Sequence, residues 1–270
     1  MRFLLLHLAL SVLLVLVAGA APADDGEPPA TTRSFKGIAY DRKTGALLYT
    51  EEYQQSWSGE RLVSTRVSYR DPSGKEIATK TLDFAKGIER PTFQFDDLRD
   101  GYQQGVVVNA DRIELYVREA GGEPVERTRI DTPPDLVVDA GFNYFIREHW
   151  LPIVSGETLS FAFAAPARRD TYRFQVEKSG DRSTRGRPSM VVTVELANPV
   201  LRWLIDPITL VYDCETRELL EWQGISNLDD ANDVPYDARI EFPRGEGGIA
   251  AAPDAAPAPA AAKSDAPSGG

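Results

Sequence analysis

Tyr172-Arg173-Phe174-Gln175-Val176-Glu177 is the stretch whose reading decides the fold. Aromatic and aliphatic residues occupy its even positions, and charged or polar ones its odd positions. Successive side chains of a β-strand point to opposite faces, so this run puts one face in a core and the other in water. The pattern recurs on both sides. Leu159, Phe161 and Phe163 alternate with Ser160, Ala162 and Ala164, and Met190, Val192, Val194 and Leu196 form a further row. Toward the N-terminus, Ile113, Leu115 and Val117 alternate with Glu114, Tyr116 and Arg118. Val63, Thr65, Val67 and Tyr69 share a face, as do Tyr49, Tyr53 and Trp57, and Ile240 and Phe242 close the series.

Turn signals separate these runs. Thr44-Gly45, Ser58-Gly59 and Asp71-Pro72-Ser73-Gly74 come early, followed by Gly121-Gly122, Ser155-Gly156 and Ser179-Gly180. Glycine reaches the positive φ of tight turns at no steric cost, so meandering antiparallel strands are expected.

Asp139-Ala140-Gly141-Phe142-Asn143-Tyr144-Phe145-Ile146-Arg147-Glu148-His149-Trp150-Leu151 breaks the alternation, with apolar residues at helical spacing. Asp139 is placed to cap this helix and Pro152 to end it. A shorter helix is expected over Asn198–Pro207, with Asn198 as cap and Pro199 at its first position. These two helices would be roughly 15 and 10 Å long at 1.5 Å per residue. A sheet of about ten strands at roughly 4.8 Å spacing is wider than that. The expected fold is therefore mainly β, a curved antiparallel half-barrel with one or two short helices on its concave face. Part of that face should stay open.

The ends of the chain differ from its body. Met1-Arg2, an apolar run from Phe3 to Val17 and Ala18-Gly19-Ala20-Ala21-Pro22-Ala23 read as a signal peptide, residues 1–23, cleaved after Ala20 or Ala23. Residues 24–32 read as a polar, proline-bearing leader, 33–244 as the β half-barrel domain, and 245–270 as an Ala/Pro-rich disordered tail. The expected location is periplasmic or secreted. Beyond the signal peptide no apolar stretch approaches the roughly 20 residues of a membrane span, so the mature protein is not expected to be integral.

The formal net charge is −11, which repels phosphate backbones and argues against nucleic acid as a partner. Cys214 is the single cysteine, so no intramolecular disulfide can form. It is expected at the end of a strand, sharing a buried face with Ile208, Leu210 and Tyr212. Motifs for nucleophilic, metal or phosphate chemistry are missing, so no catalytic residue, metal ligand or cofactor is assigned. His149 reads as a helix-surface or capping residue. Asn227-Leu228-Asp229-Asp230-Ala231-Asn232-Asp233 loosely matches a calcium loop but lacks its glycine and its glutamate, and reads as a polar inter-strand loop.

Tyr144, Phe145, Trp150 and Trp203 gather in the two helical segments. Core filling accounts for such rings; the functional reading is that Phe145, Trp150 and Trp203 line a ligand cavity under the helices. The passage from Asp139 to Arg147 followed by Ser155-Gly156-Glu157-Thr158-Leu159 resembles the helix-then-strand passage of uncharacterised secreted bacterial proteins. Those in turn resemble the lipoprotein-carrier (LolA/LolB-like) half-barrel superfamily. Thr209-Leu210-Val211-Tyr212, Arg217-Glu218-Leu219-Leu220-Glu221-Trp222-Gln223-Gly224 and Ile225-Ser226-Asn227-Leu228 resemble its closing strands. The resemblance implies a cup for an apolar ligand such as a lipid or acyl chain. An envelope interaction module without a small ligand, or a carboxylate-dependent hydrolase, are the alternatives from other classes.

Overall fold

The computed structural model describes residues 30–200, 202 and 206–243. The expected signal peptide, the first residues of the leader, the Ala/Pro-rich tail and Trp203 lie outside the described residues. Ala30–Thr32 of the expected leader are already in the first strand, which pairs them with Trp57 and its neighbours.

The strands run in chain order as β1 (Ala30–Asp41), β2 (Leu47–Ser58), β3 (Arg61–Arg70), β4 (Glu76–Asp83), β5 (Thr92–Asp97), β6 (Gln103–Val108), β7 (Arg112–Arg118), β8 (Glu126–Asp131) and β9 (Leu136–Val137). Two short helices follow, α1 (Gly141–Glu148) and α2 (Trp150–Val154). Then come β10 (Leu159–Ala165), β11 (Asp170–Thr184), β12 (Arg187–Leu196), β13 (Ile208–Asp213), β14 (Leu219–Asp229) and β15 (Pro235–Glu241). All fifteen strands belong to one sheet, in the order β8-β7-β6-β5-β4-β3-β2-β1-β15-β14-β13-β12-β11-β10-β9. Each neighbour is antiparallel except β9, which runs parallel to β10. The strand number exceeds the expected ten or so; β1, β4, β5, β6, β8 and β9 lie outside the alternating runs read from the sequence.

Pairing of β1 with β15 joins two meanders into one continuous sheet. The sheet curls until its ends approach, yet β8 and β9 remain unpaired edges. A short turn after β10, Pro166–Arg168, packs over β6 and β7, and Arg169 forms an ion pair with Glu126 of β8. The charged, exposed face of β8 blunts the free edge. The expected turns at Gly45, Gly59, Gly74, Gly122 and Gly156 all form at positive φ. Ser179-Gly180 does not turn the chain; it is an irregularity within β11, and the hairpin is made by Arg185 and Gly186.

The two helices lie against the inner face and fill part of it. Ile146 and Ile153 are fully buried, and Phe145 and Trp150 nearly so. Tyr144 meets Phe84 edge-on at 5.8 Å, while Trp150 meets Tyr212 of β13 at 5.9 Å. Asn143 Oδ1 accepts a hydrogen bond from Tyr212 at 3.0 Å. The helices thus tie the two arms of the sheet together. The expected single helix is broken at His149. Pro152 does not end it but sits in the first turn of α2, where a backbone N–H lacks an intrahelical acceptor in any case. The break leaves Leu151 in solvent, 72% exposed. The start of α1 also departs from expectation. Ala140, not Asp139, is the cap residue, without a side-chain cap bond. Asp139 adopts φ 43° and its carboxylate accepts the Ala140 N–H at 2.7 Å. Gly141 is sterically required: a Cβ there would lie 1.9 Å from the Glu89 carbonyl oxygen.

Cys214 is exposed, contrary to the expected buried position. The strand ends one residue earlier, because Asp213 Oδ1 accepts the N–H groups of Glu215 and Thr216, both at 2.9 Å, and turns the chain. Likewise Asp230 Oδ1 accepts the Asn232 and Val234 N–H groups and holds the loop between β14 and β15.

Candidate functional site

The part of the inner face that the helices leave uncovered is a cavity of about 310 Å³. Ligand pockets begin at about 300 Å³. Alternation decides its lining. On β2 the odd residues Tyr49, Glu51, Tyr53, Gln55 and Trp57 point inward, and all but Trp57 reach the cavity. Thr65, Val67 and Tyr69 come from β3, and Lys80 and Leu82 from β4. Phe35, Phe84, Phe142, Trp222, Ile240 and Phe242 make most of the apolar wall. At the mouth stand Ile225, 43% exposed, and Asn227, also exposed.

A polar cluster occupies one end. Glu51 is only 4% exposed, and its Oε2 accepts a hydrogen bond from Tyr53 at 2.5 Å. Burial in apolar surroundings raises the Glu51 carboxyl above the ordinary range; the Tyr53 bond and the Lys80 charge work against that rise, and Asp139 adds to it. Gly37 stands directly across from Glu51 on β1. A Cβ at Gly37 would lie 3.1 Å from Glu51 Oε2 and 3.0 Å from Ile240 and Phe242, so the glycine makes room for the carboxyl group. Lys80 Nζ donates to both carboxylate oxygens of Asp139, at 3.0 and 3.1 Å. Tyr49 donates to Ser226 Oγ at 2.9 Å. Burial, reinforced by Glu51, drives the hydroxyls of Tyr53 and Tyr69 well above the usual phenol range. The Thr65 hydroxyl, on a residue 5% exposed, has no hydrogen-bond partner among the described residues.

Two of the residues singled out from the sequence do not line this cavity. Phe145 stacks on His149 at 4.3 Å and packs on Phe161 at 5.0 Å. Trp150 packs on Tyr212, with the Arg217 guanidinium 5.7 Å from its ring. Both rings are consumed in seating the helices. Trp203 lies outside the described residues. His149 closes α1 as its C-cap, with Nδ1 2.9 Å from the Phe145 carbonyl oxygen. Glu51 and Lys80 were the residues missed. Their signal was present: each is a charged residue on the inward parity of a strand, between Tyr49 and Tyr53 and between Ala78 and Leu82.

A second concavity, of about 650 Å³, lies on the other face of β1 to β7. Gln54, Ser64, Arg66, Thr81 and Gln94 are among its lining. It is more open to solvent and lacks the ring-lined apolar wall of the inner cavity, which is the better candidate. No group of His, Cys, Asp and Glu side chains suited to a metal ion occurs among the described residues. No helix among them is long and apolar enough to cross a membrane.

No family model matches the chain, and no curated protein matches it. Among solved structures, the chain is similar to the crystal structure of a beta-barrel-like protein of the Domain of Unknown Function DUF1849 from Brucella abortus. The TM-score is 0.43 at 8% identity, over 80% of this chain and 97% of that one.

Proposed function

We propose that this chain is an exported binding protein that holds a small, largely apolar ligand in the cavity between the sheet and its helices. The observation that carries this reading is the cavity of about 310 Å³, walled by Phe35, Phe142, Trp222 and Phe242 and reached past the exposed Ile225. At about 30 Å³ per water-sized group, it holds roughly ten non-hydrogen atoms. A short chain, or the end of a longer one, fits; a whole lipid does not. Each buried CH₂ would contribute about 0.8 kcal/mol. The resemblance to the lipoprotein-carrier superfamily supports the same class of activity. The lining residues replace Phe145 and Trp150 as the proposed contacts, Trp203 lying outside the described residues.

Export is part of the proposal and rests on the N-terminal basic, apolar and small-residue pattern. Protein isolated from its own cells without detergent should begin at Ala21 or Asp24. In native mass spectrometry it should carry a small adduct that denaturing conditions remove. Protein from the same source that begins at Met1, or that is consistently bare, would count against the respective part.

A further inference from the structure

We propose that the cavity selects a small organic ammonium ion, paired with the Glu51 carboxylate. The inference rests on the ligand-binding reading above and names the chemical class of the ligand.

The first ground is a carboxyl group with no ion-pair partner of its own among the described residues, Lys80 acting on it only from its place beside Asp139. Glu51 is 4% exposed, and its hydrogen bond among the described residues comes from the neutral Tyr53 hydroxyl. Lys80 is the one basic side chain among the described lining residues, and both Asp139 oxygens already hold it. In apolar surroundings such a carboxyl group either keeps its proton or takes a counter-charge, and an ammonium ion supplies that counter-charge. The second ground is the Thr65 hydroxyl in the same wall, nearly fully buried and without a partner among the described residues, which can accept an N–H. The third is the company of rings. Tyr49, Tyr53, Tyr69 and Trp222 line the same space, and aromatic faces attract ammonium groups. The charge balance points the same way. Lys80 and Asp139 cancel, so an ionised Glu51 leaves the cavity negative, and a carboxylate ligand would add repulsion. The chain as a whole, at −11, draws cations at long range.

Binding balances in protons. An ammonium ion entering opposite a protonated Glu51 displaces that proton to solvent. A neutral amine takes the proton from Glu51 directly. Either route ends in the same ammonium–carboxylate pair, with Lys80, Asp139, Tyr49, Tyr53 and Tyr69 as its ionisable surroundings.

The test is calorimetric titration of the full chain with n-octylamine, octanol and octanoate, which share one alkyl tail. The amine should bind at least about tenfold more tightly than octanol, a gap of about 1.4 kcal/mol, and octanoate most weakly. Glu51→Gln should abolish the preference for the amine over octanol. Equal binding of amine and octanol, or a preference that survives Glu51→Gln, would overturn the ammonium assignment and leave the apolar cavity standing. Failure of all three to bind would overturn both. If Glu51→Gln does not fold, the ranking of the three probes on the unaltered chain decides.

Discussion

Lys80 Nζ lies 3.0 and 3.1 Å from the two carboxylate oxygens of Asp139, and both side chains are about nine-tenths buried. This pair joins β4 to the residue that launches α1, 59 positions further along the chain. It fixes where the helices enter the concave face, and hence where the cavity begins. Removing one partner of a buried pair strands the other charge, at a typical cost of about 3–5 kcal/mol. Lys80→Met should therefore lower the urea midpoint strongly. The double change Lys80→Met with Asp139→Asn should recover part of the loss, since asparagine tolerates the left-handed backbone at Asp139.

The helix break at His149 makes two neighbouring residues opposites. Trp150 is 6% exposed against Tyr212, and Leu151 is 72% exposed. Trp150→Ala should cost about 3–5 kcal/mol, the range for truncating a buried aromatic. Leu151→Ala should stay within about 0.5 kcal/mol. Denaturant melts of both variants check the contrast.

Gly141→Ala should be costly for a different reason. The added methyl would press on the Glu89 carbonyl oxygen at 1.9 Å, and backbone must move to admit it. Overpacking of this kind costs about 1–3 kcal/mol, occasionally more. A neutral result in thermal denaturation would contradict the close approach of α1 to the loop before β5.

Glu51 predicts a pH dependence. Burial raises its carboxyl in the folded state above the ordinary value of 4.5, so the folded chain keeps a proton that the unfolded chain releases. Stability from this group is fully present below the unfolded value and is lost as pH rises through the raised one. Glu51→Gln lacks that loss. Its stability relative to the parent should improve as pH climbs from about 4.5, measured by urea denaturation across a pH series. Parallel curves would contradict the burial of an unneutralised carboxyl.

Much of this arrangement was legible in the sequence. Alternation through Tyr172–Glu177 and Met190–Leu196, together with the early glycine turns, reads directly as a long antiparallel sheet. The same parity places Glu51 and Lys80 inward. What alternation does not carry is which inward residues the helices cover. Phe145 and Trp150 were legible as buried, but only the packing against Phe161 and Tyr212 separates them from the cavity wall. The Lys80–Asp139 pair is a long-range contact that no local pattern encodes. Local side-chain-to-backbone bonding explains the remaining differences: Asp213 ends its strand before Cys214, and an irregularity within β11 absorbs Gly180.

The most direct test of the central claim, ligand binding in the inner cavity, is a nitrogen–proton NMR titration of the full chain with octanol. The amides of Glu51, Tyr69, Trp222 and Ser226, on the cavity wall, should shift together and saturate. Those of Arg66, Thr81 and Gln94, in the outer concavity, should not follow them. Shifts confined to the outer concavity, or no saturable shift at all, would contradict binding in the inner cavity.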